Sequence, residues 1–433
     1  MKPKPAKRRC RSSWSINISS VAVIGGGLCG LTAAIRLAEA GVKVTLFEAS
    51  PKAGGRTRSF FDTTVSELCD NGPHLLIGAY SATEQLLSDC GASDTICWQQ
   101  RLQLPCWEAQ RGYYALQPKA WLPMALALPL AVAAMPGHGF SSAMAMLRIG
   151  LRMHRSVDQN SSVATWMQRC GVSEAVMRDM IEPLCLGAMN EHIETASAAS
   201  FLQVLKESFA SHKTSRLGWF TAPMDKALIT PLVKRAEKLG VMIITSSRIK
   251  YVDCDAQHAS VAGEQFDRIV VALPAYATDK LLGNQSGCAT ETISNLHIWL
   301  DQPVTLNGPF VGGIGTHGEW FFDISSQMHE TGKLQHLCGV ISADNSGMPE
   351  AELLKTLCSE IEKICGSSVQ PVHHRLVREK RATVLVRPYA QPQLPDWLID
   401  ASERPLPGEL PATIEMAVRR GEKAAKQCLG SMI

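Results

Sequence analysis

The apolar positions at the start of the chain fall into a strand, a helix and a second strand. Val21 to Ile24 is a short unbroken apolar run, the pattern of a buried strand. Glycines follow at Gly25, Gly27 and Gly30, in the order G-x-G-x-x-G. Leu31, Ala34, Leu37 and Ala38 then form an apolar helical run that ends at Gly41, a good left-handed stop. A second strand pattern, Val42 to Phe47, delivers Glu48. Further on, a helix is predicted from about Ser81 to Cys90, with short strands near Leu102–Trp107 and Tyr113–Leu116. Helical periodicity runs from Ser141 to Phe209. Strand patterns return at Met242–Ile244, Ile249–Val252 and Ile269–Leu273, after a helix over Pro231–Gly240. Runs at Val304–Leu306, Trp320–Asp323 and Leu337–Ser342 predict an antiparallel sheet, Glu350–Ile364 an amphipathic helix, and Ile414–Leu429 a last helix.

The first stretch predicts a dinucleotide site, because each of its parts has a physical task. Gly25 permits the tight turn, Gly27 lets backbone N–H groups approach a pyrophosphate, and Gly30 lets helix and strand pack closely. The helix N-terminus brings partial positive charge to the phosphates, and Glu48 stands where a ribose needs a carboxylate. The fold class is therefore α/β, a Rossmann-type domain completed by the C-terminal helix, with a mixed α+β substrate domain. One core rarely grows past about 300 residues, and the chain has 433. The expected division is a basic tail over 1–19, a discontinuous dinucleotide domain over 20–80, 230–285 and 385–433, and a substrate domain over 81–229 and 286–384.

Trp121 to Met135 is the most apolar run in the chain, but it is shorter than the ~20 residues of a bilayer span and Pro123 and Pro129 interrupt it. It reads either as a segment buried under a lid or as one dipping into a membrane interface. Charge changes the picture little: a net charge of +3 carries no nucleic-acid footprint. Six basic residues, Lys2, Lys4, Lys7, Arg8, Arg9 and Arg11, precede the first strand. They read as a disordered tail or as an attraction to anionic lipid. The 14 cysteines are scattered without a C-x-x-C pair and read as free thiols, and no His/Cys cluster has metal-ligand spacing in the sequence.

Gly54, Gly55 and Arg56 separate one dinucleotide from another. The phrase from Gly25 through Glu48 to Gly54-Gly55-Arg56-Thr57-Arg58 resembles the flavin-containing amine oxidase and phytoene desaturase superfamily. That resemblance implies FAD as cofactor, with Gly55 and Arg56 wrapping its pyrophosphate and Arg58 facing the phosphates. Four further phrases are similar to squalene-associated FAD-dependent desaturases, the hydroxysqualene dehydroxylase family. They are Asp70-Asn71-Gly72-Pro73-His74-Leu75-Leu76-Ile77-Gly78-Ala79-Tyr80, Glu182 to Asn190, Arg378 to Thr383, and Leu410-Pro411-Ala412-Thr413-Ile414-Glu415. The superfamily's Gly-Asp pair before the last helix is missing. Asp400 is the candidate for its role, Thr413 opens the helix beside it, Met416 stands where the family has glycine, and Pro73 where it often has Gln.

The resemblance implies an FAD-dependent oxidoreductase acting on a lipophilic isoprenoid: the hydroxyl of hydroxysqualene is removed to give squalene, with an electron donor that the sequence does not reveal. His74 is the candidate proton donor or hydroxyl anchor, and Glu182 and Asn190 are either pocket-lining or capping residues. The implied place is the cytoplasm, peripheral on the inner face of the membrane. A carotenoid-type desaturase or isomerase uses the same fold in the oxidising direction. A flavin-site relic acting as a non-enzymatic partner in lipid synthesis is motivated by Met416 and the missing pair.

Overall fold

The computed structural model describes residues 18–254, 259–329, 332–389 and 394–430, so that all but Ile18 and Ser19 of the expected tail lie outside the described residues. Five parallel strands form the nucleotide sheet: β1 (Ser20–Ile24), β2 (Lys43–Phe47), β3 (Met242–Ile244), β4 (Arg268–Val271) and β5 (Leu398–Asp400). Their order is β3-β2-β1-β4-β5, with Val23 opposite Val270 on one side and Leu46 on the other. The order reverses at β1, and ligands of open α/β sheets bind at the strand C-termini beside such a reversal. Both faces are covered, which is why β1 is apolar at every position from Val21 onward and does not alternate. Helix α1 (Leu28–Glu39) packs against helix α2 (Ile414–Cys428), bringing the two ends of the chain together.

A seven-stranded sheet forms the second layer system. Its order is His373–Val384, Thr290–Leu300, Gln335–Ile341, Trp320–Asp323, Phe310–Ile314, Leu104–Glu108 and Gly112–Leu116. It is mixed rather than purely antiparallel, since Phe310–Ile314 runs parallel to Leu104–Glu108. The helix Glu350–Cys365 lays Leu353, Leu357 and Ile361 on it. The strand expected at Val304–Leu306 does not form. The side-chain amide of Gln335 instead takes both backbone groups of Val304, at 2.7 and 2.8 Å, so that no neighbouring strand is needed there. Ile249 and Val252 are likewise unpaired and simply pack, partly buried, beside the nucleotide sheet.

Helices between Met124 and Ser208 make the third body, around Val132, Val163, Met167, Cys185 and Phe201. The apolar run beginning at Trp121 forms the helix Met124–Ala133. Met124, Ala127, Leu128 and Val132 are buried, while Trp121, Leu126 and Leu130 are exposed, as are Phe140 and Leu151 on the helix Phe140–Arg152 packed beside it. It is thus half core and half surface. No helix among the described residues is long and apolar enough to cross a membrane. Among the described residues twelve cysteines, Cys29 and Cys185 among them, are free thiols.

Candidate cofactor and substrate site

The glycine turn joins β1 to α1 in the predicted manner. Gly25 has φ +110°, a region that L side chains rarely enter, and its N–H donates to the Phe47 carbonyl at 2.8 Å. A Cβ on Gly30 would lie 1.8 Å from the Gly25 carbonyl oxygen, so helix and strand approach as closely as a backbone allows. Above Gly27 the space is open, with only the Gly55 Cα at 4.0 Å from where a Cβ would be. Gly27 and Gly54 form an isolated parallel bridge, and the Gly54 N–H donates to the Gly26 carbonyl at 2.8 Å. The two glycine loops therefore lie directly against each other, backbone to backbone, at the N-terminus of α1. Buried Glu48 directly follows β2 and accepts from the N–H groups of Gly26 and Ser50, both at 2.7 Å. This frame fits a dinucleotide: a wall without side chains for phosphates, and a carboxylate for a ribose.

Arg56 projects from the second loop. It donates to the Ala382 carbonyl at 2.7 Å and pairs with Glu403. Glu403 is buried and also accepts from Arg420 at 3.0 Å. Burial works against ionisation of Glu403, but the two guanidiniums outweigh it and hold its carboxyl down at about 2. Asp400 stands at the end of β5, where it accepts from the Ser402 N–H at 2.8 Å and pairs with Arg404, which also donates to Asp279 at 2.6 Å. The carboxylate beside Arg56 is Glu403, three residues beyond Asp400. Thr413 caps α2, its hydroxyl accepting from the Met416 N–H at 3.1 Å. Arg58 is exposed.

A cavity of about 370 Å³ opens between these groups and the second sheet. All four phrases quoted above line it: Asn71 to Leu75 from the first, Pro183 to Asn190 in part from the second, Glu379, Ala382 and Thr383 from the third, and Leu410 to Ile414 from the last. Its remaining wall is largely apolar, with Met135, Met180, Ile293, Trp320 and Phe322. His74 sits at the wall with Nδ1 at 2.9 Å from the Gly72 carbonyl. Desolvation lowers its pKa, against the opposing effect of that hydrogen bond. The ring is thus held neutral, with Nδ1–H donating and Nε2 free to accept. Asn190 also lines the cavity. It takes a left-handed conformation (φ 53°), donates to Thr383 at 2.9 Å and accepts from the Ala343 N–H at 2.6 Å. Glu182 does not line it; its carboxylate meets His192 at 2.7 Å. Pro73 and His74 also line a second cavity, of about 520 Å³.

Sequence reading missed Glu403 and Arg420, whose signal was weak: a Ser-Glu-Arg run without the expected glycine, and a second arginine after Arg419 in a helix rich in charge. It missed the second cavity altogether.

Comparison with known proteins gives concordant results. Residues 28–429 match the family described as flavin containing amine oxidoreductase. A hydroxysqualene dehydroxylase of Zymomonas mobilis is 25% identical over 431 residues, covering 94% of this chain and 98% of that protein. A 15-cis-phytoene desaturase of Arabidopsis thaliana is 22% identical over 317 residues, covering 65% of this chain and 54% of that protein. Among solved structures, an oxidoreductase from Methanosarcina mazei superposes with a TM-score of 0.69 at 14% identity, over 93% of this chain and 99% of that one. With a family match across nearly the whole length and a glycine frame that fits a dinucleotide, the chain belongs to the flavin-containing amine oxidoreductase family and is an FAD-dependent oxidoreductase.

Proposed function

We propose that this protein reductively dehydroxylates hydroxysqualene to squalene. The observation that carries the reading is the convergence of four separated phrases, all resembling hydroxysqualene dehydroxylases, on one apolar cavity beside Arg56 and Thr413. The overall change is R–OH + 2 e⁻ + 2 H⁺ → R–H + H₂O. When bound in its reduced form, FAD would supply the electron pair.

The chain's own residues do the rest. Gly25, Gly27, Gly30 and the N-terminus of α1 hold the pyrophosphate, and Glu48 holds the ribose. Gly55 and Arg56 would meet the phosphates, with Arg56 oriented by Glu403. Asp400 orders the loop that presents Glu403 and Arg404, and Thr413 caps the start of α2. Once protonated at Nε2, His74 donates a hydrogen bond to the substrate hydroxyl. A lowered pKa makes its imidazolium rarer but more acidic, which suits it to pass a solvent proton to the departing hydroxyl. The apolar wall keeps water from the allylic cation until it is reduced. Exposed Trp121, Leu126, Leu130, Phe140 and Leu151 support a peripheral contact with the inner face of the membrane, on the same helical hairpin whose Met135 lines the cavity.

The test is anaerobic incubation of the FAD-loaded, dithionite-reduced protein with hydroxysqualene, followed by gas chromatography and mass spectrometry. Squalene is expected, and His74→Phe is expected to lower kcat by about 10²-fold or more. Absence of squalene together with oxidation of phytoene would replace this reading with the desaturase one, which the similarity to 15-cis-phytoene desaturase supports.

A further inference from the structure

The second cavity carries chemistry that the dehydroxylation does not use. We propose that it is bordered by a divalent transition-metal site, zinc in the first place, held by Glu67, Cys69 and His336. The strand Glu67–Asp70 presents Glu67 and Cys69 two residues apart, hence on one face. His336 comes from the seven-stranded sheet opposite. One ligand atom of each lies within 4.8 Å of the others. Donors around a tetrahedral zinc, bound at about 2.0–2.3 Å, sit roughly 3.5 Å apart, so a shift of about an ångström closes the set. A thiolate, an imidazole and a carboxylate together suit zinc better than magnesium or calcium, which take oxygen alone. Three protein ligands leave a fourth position open, and all three line the cavity of about 520 Å³, where a water or a small donor has room.

The surroundings are built as those of metal ligands are. The Trp299 indole N–H donates to Glu67 Oε2 at 3.0 Å and the same ring stacks on His336, centroids 4.4 Å apart. His297 Nδ1 meets His336 Nε2 at 2.9 Å. Carboxylate and imidazole are each oriented from behind by a second group, which is what fixes ligand direction in metal sites. Cys69 and His336 are buried. In the bare protein these two polar groups are held out of water beside Glu67 at the cavity wall, which costs free energy. A cation displacing the thiol proton and taking the imidazole lone pair relieves that cost. The site is independent of the isoprenoid reading, since none of its three ligands lines the substrate cavity. Its consequence is positional: the metal clamps the strand Glu67–Asp70 to the large sheet, immediately before the loop that carries His74.

The experiment uses the full-length, FAD-loaded protein, purified without a metal-affinity step, stripped with dipicolinate and titrated with Zn²⁺ and Co²⁺. One equivalent of zinc by plasma mass spectrometry, a Tm rise of several degrees on its addition, and a thiolate-to-cobalt charge-transfer band in the Co²⁺ difference spectrum are expected. Cys69→Ser and His336→Gln should abolish all three, Trp299→Phe should weaken zinc about tenfold, and Cys97→Ser, at an exposed cysteine elsewhere, should change nothing. No cobalt–thiolate band in the wild-type protein, a readout that needs no variant to fold, would overturn the proposal. So would unchanged zinc affinity in Cys69→Ser.

Discussion

Glu403 is the residue on which the cofactor side of the site turns. It is buried between Arg56 and Arg420, and a neutral amide there would leave two guanidiniums without their counter-charge. Removing one partner of a buried pair costs about 3 kcal/mol or more. Glu403→Gln is therefore expected to lower stability by that order in urea titration and to release FAD more readily on dilution, followed by flavin fluorescence. Glu319 offers a contrasting test. Burial raises its carboxyl from 4.5 to about 7, and it accepts from the Ser342 N–H at 2.8 Å. A raised carboxyl keeps its proton in the folded state after the unfolded chain has lost it, so stability should fall as pH rises from 4.5 to about 7, with a limiting slope of about 1.4 kcal/mol per pH unit. Glu319→Gln keeps the acceptor for Ser342 and should flatten that part of the stability curve. Chemical denaturation across that window measures it.

Among elements, the pairing of α1 with α2 closes the nucleotide domain. A Cβ on Gly421 would lie 2.4 Å from the Cys29 carbonyl oxygen and 2.7 Å from the Thr32 Cβ. Both contacts involve rigid groups, so Gly421→Ala must push the helices apart. Overpacking of this kind costs about 2 kcal/mol, and a lowered Tm with weaker FAD retention is expected, because α2 presents Thr413 and Ile414 to the cavity. At this scale much was legible. The periods of apolar residues located β1, α1, β2, β4 and α2 to within a few residues, since each is set by local spacing. The strand expected at Val304–Leu306 failed because a distant side chain, Gln335, took the place of a neighbouring strand.

For the whole molecule, the helical hairpin from Trp121 to Arg152 joins an exposed apolar face to the wall of the cavity. Replacing Leu130 and Phe140 by Glu is expected to abolish co-sedimentation with anionic vesicles while leaving turnover of detergent-dispersed substrate unchanged. Loss of turnover in detergent as well would mean that the hairpin serves the cavity alone. The sequence left this segment open between a lid and an interface. Its helix is apolar all round, so no face is marked for the core.

What the chain determined by itself is the part whose physics is local. Gly25 must have a positive φ and Gly30 must lack a Cβ, and both demands are written in residue type and spacing. The phrases at Asp70, Glu182, Arg378 and Leu410 were likewise readable as a resemblance to one family. Their convergence on one cavity was not, because contacts between residues hundreds apart depend on how three bodies pack. The same packing set Glu403 against Arg56, and it brought Glu67 and Cys69 to His336 across a gap of more than 260 residues. Those pairings exist only once the sheets face each other and desolvate the groups between them.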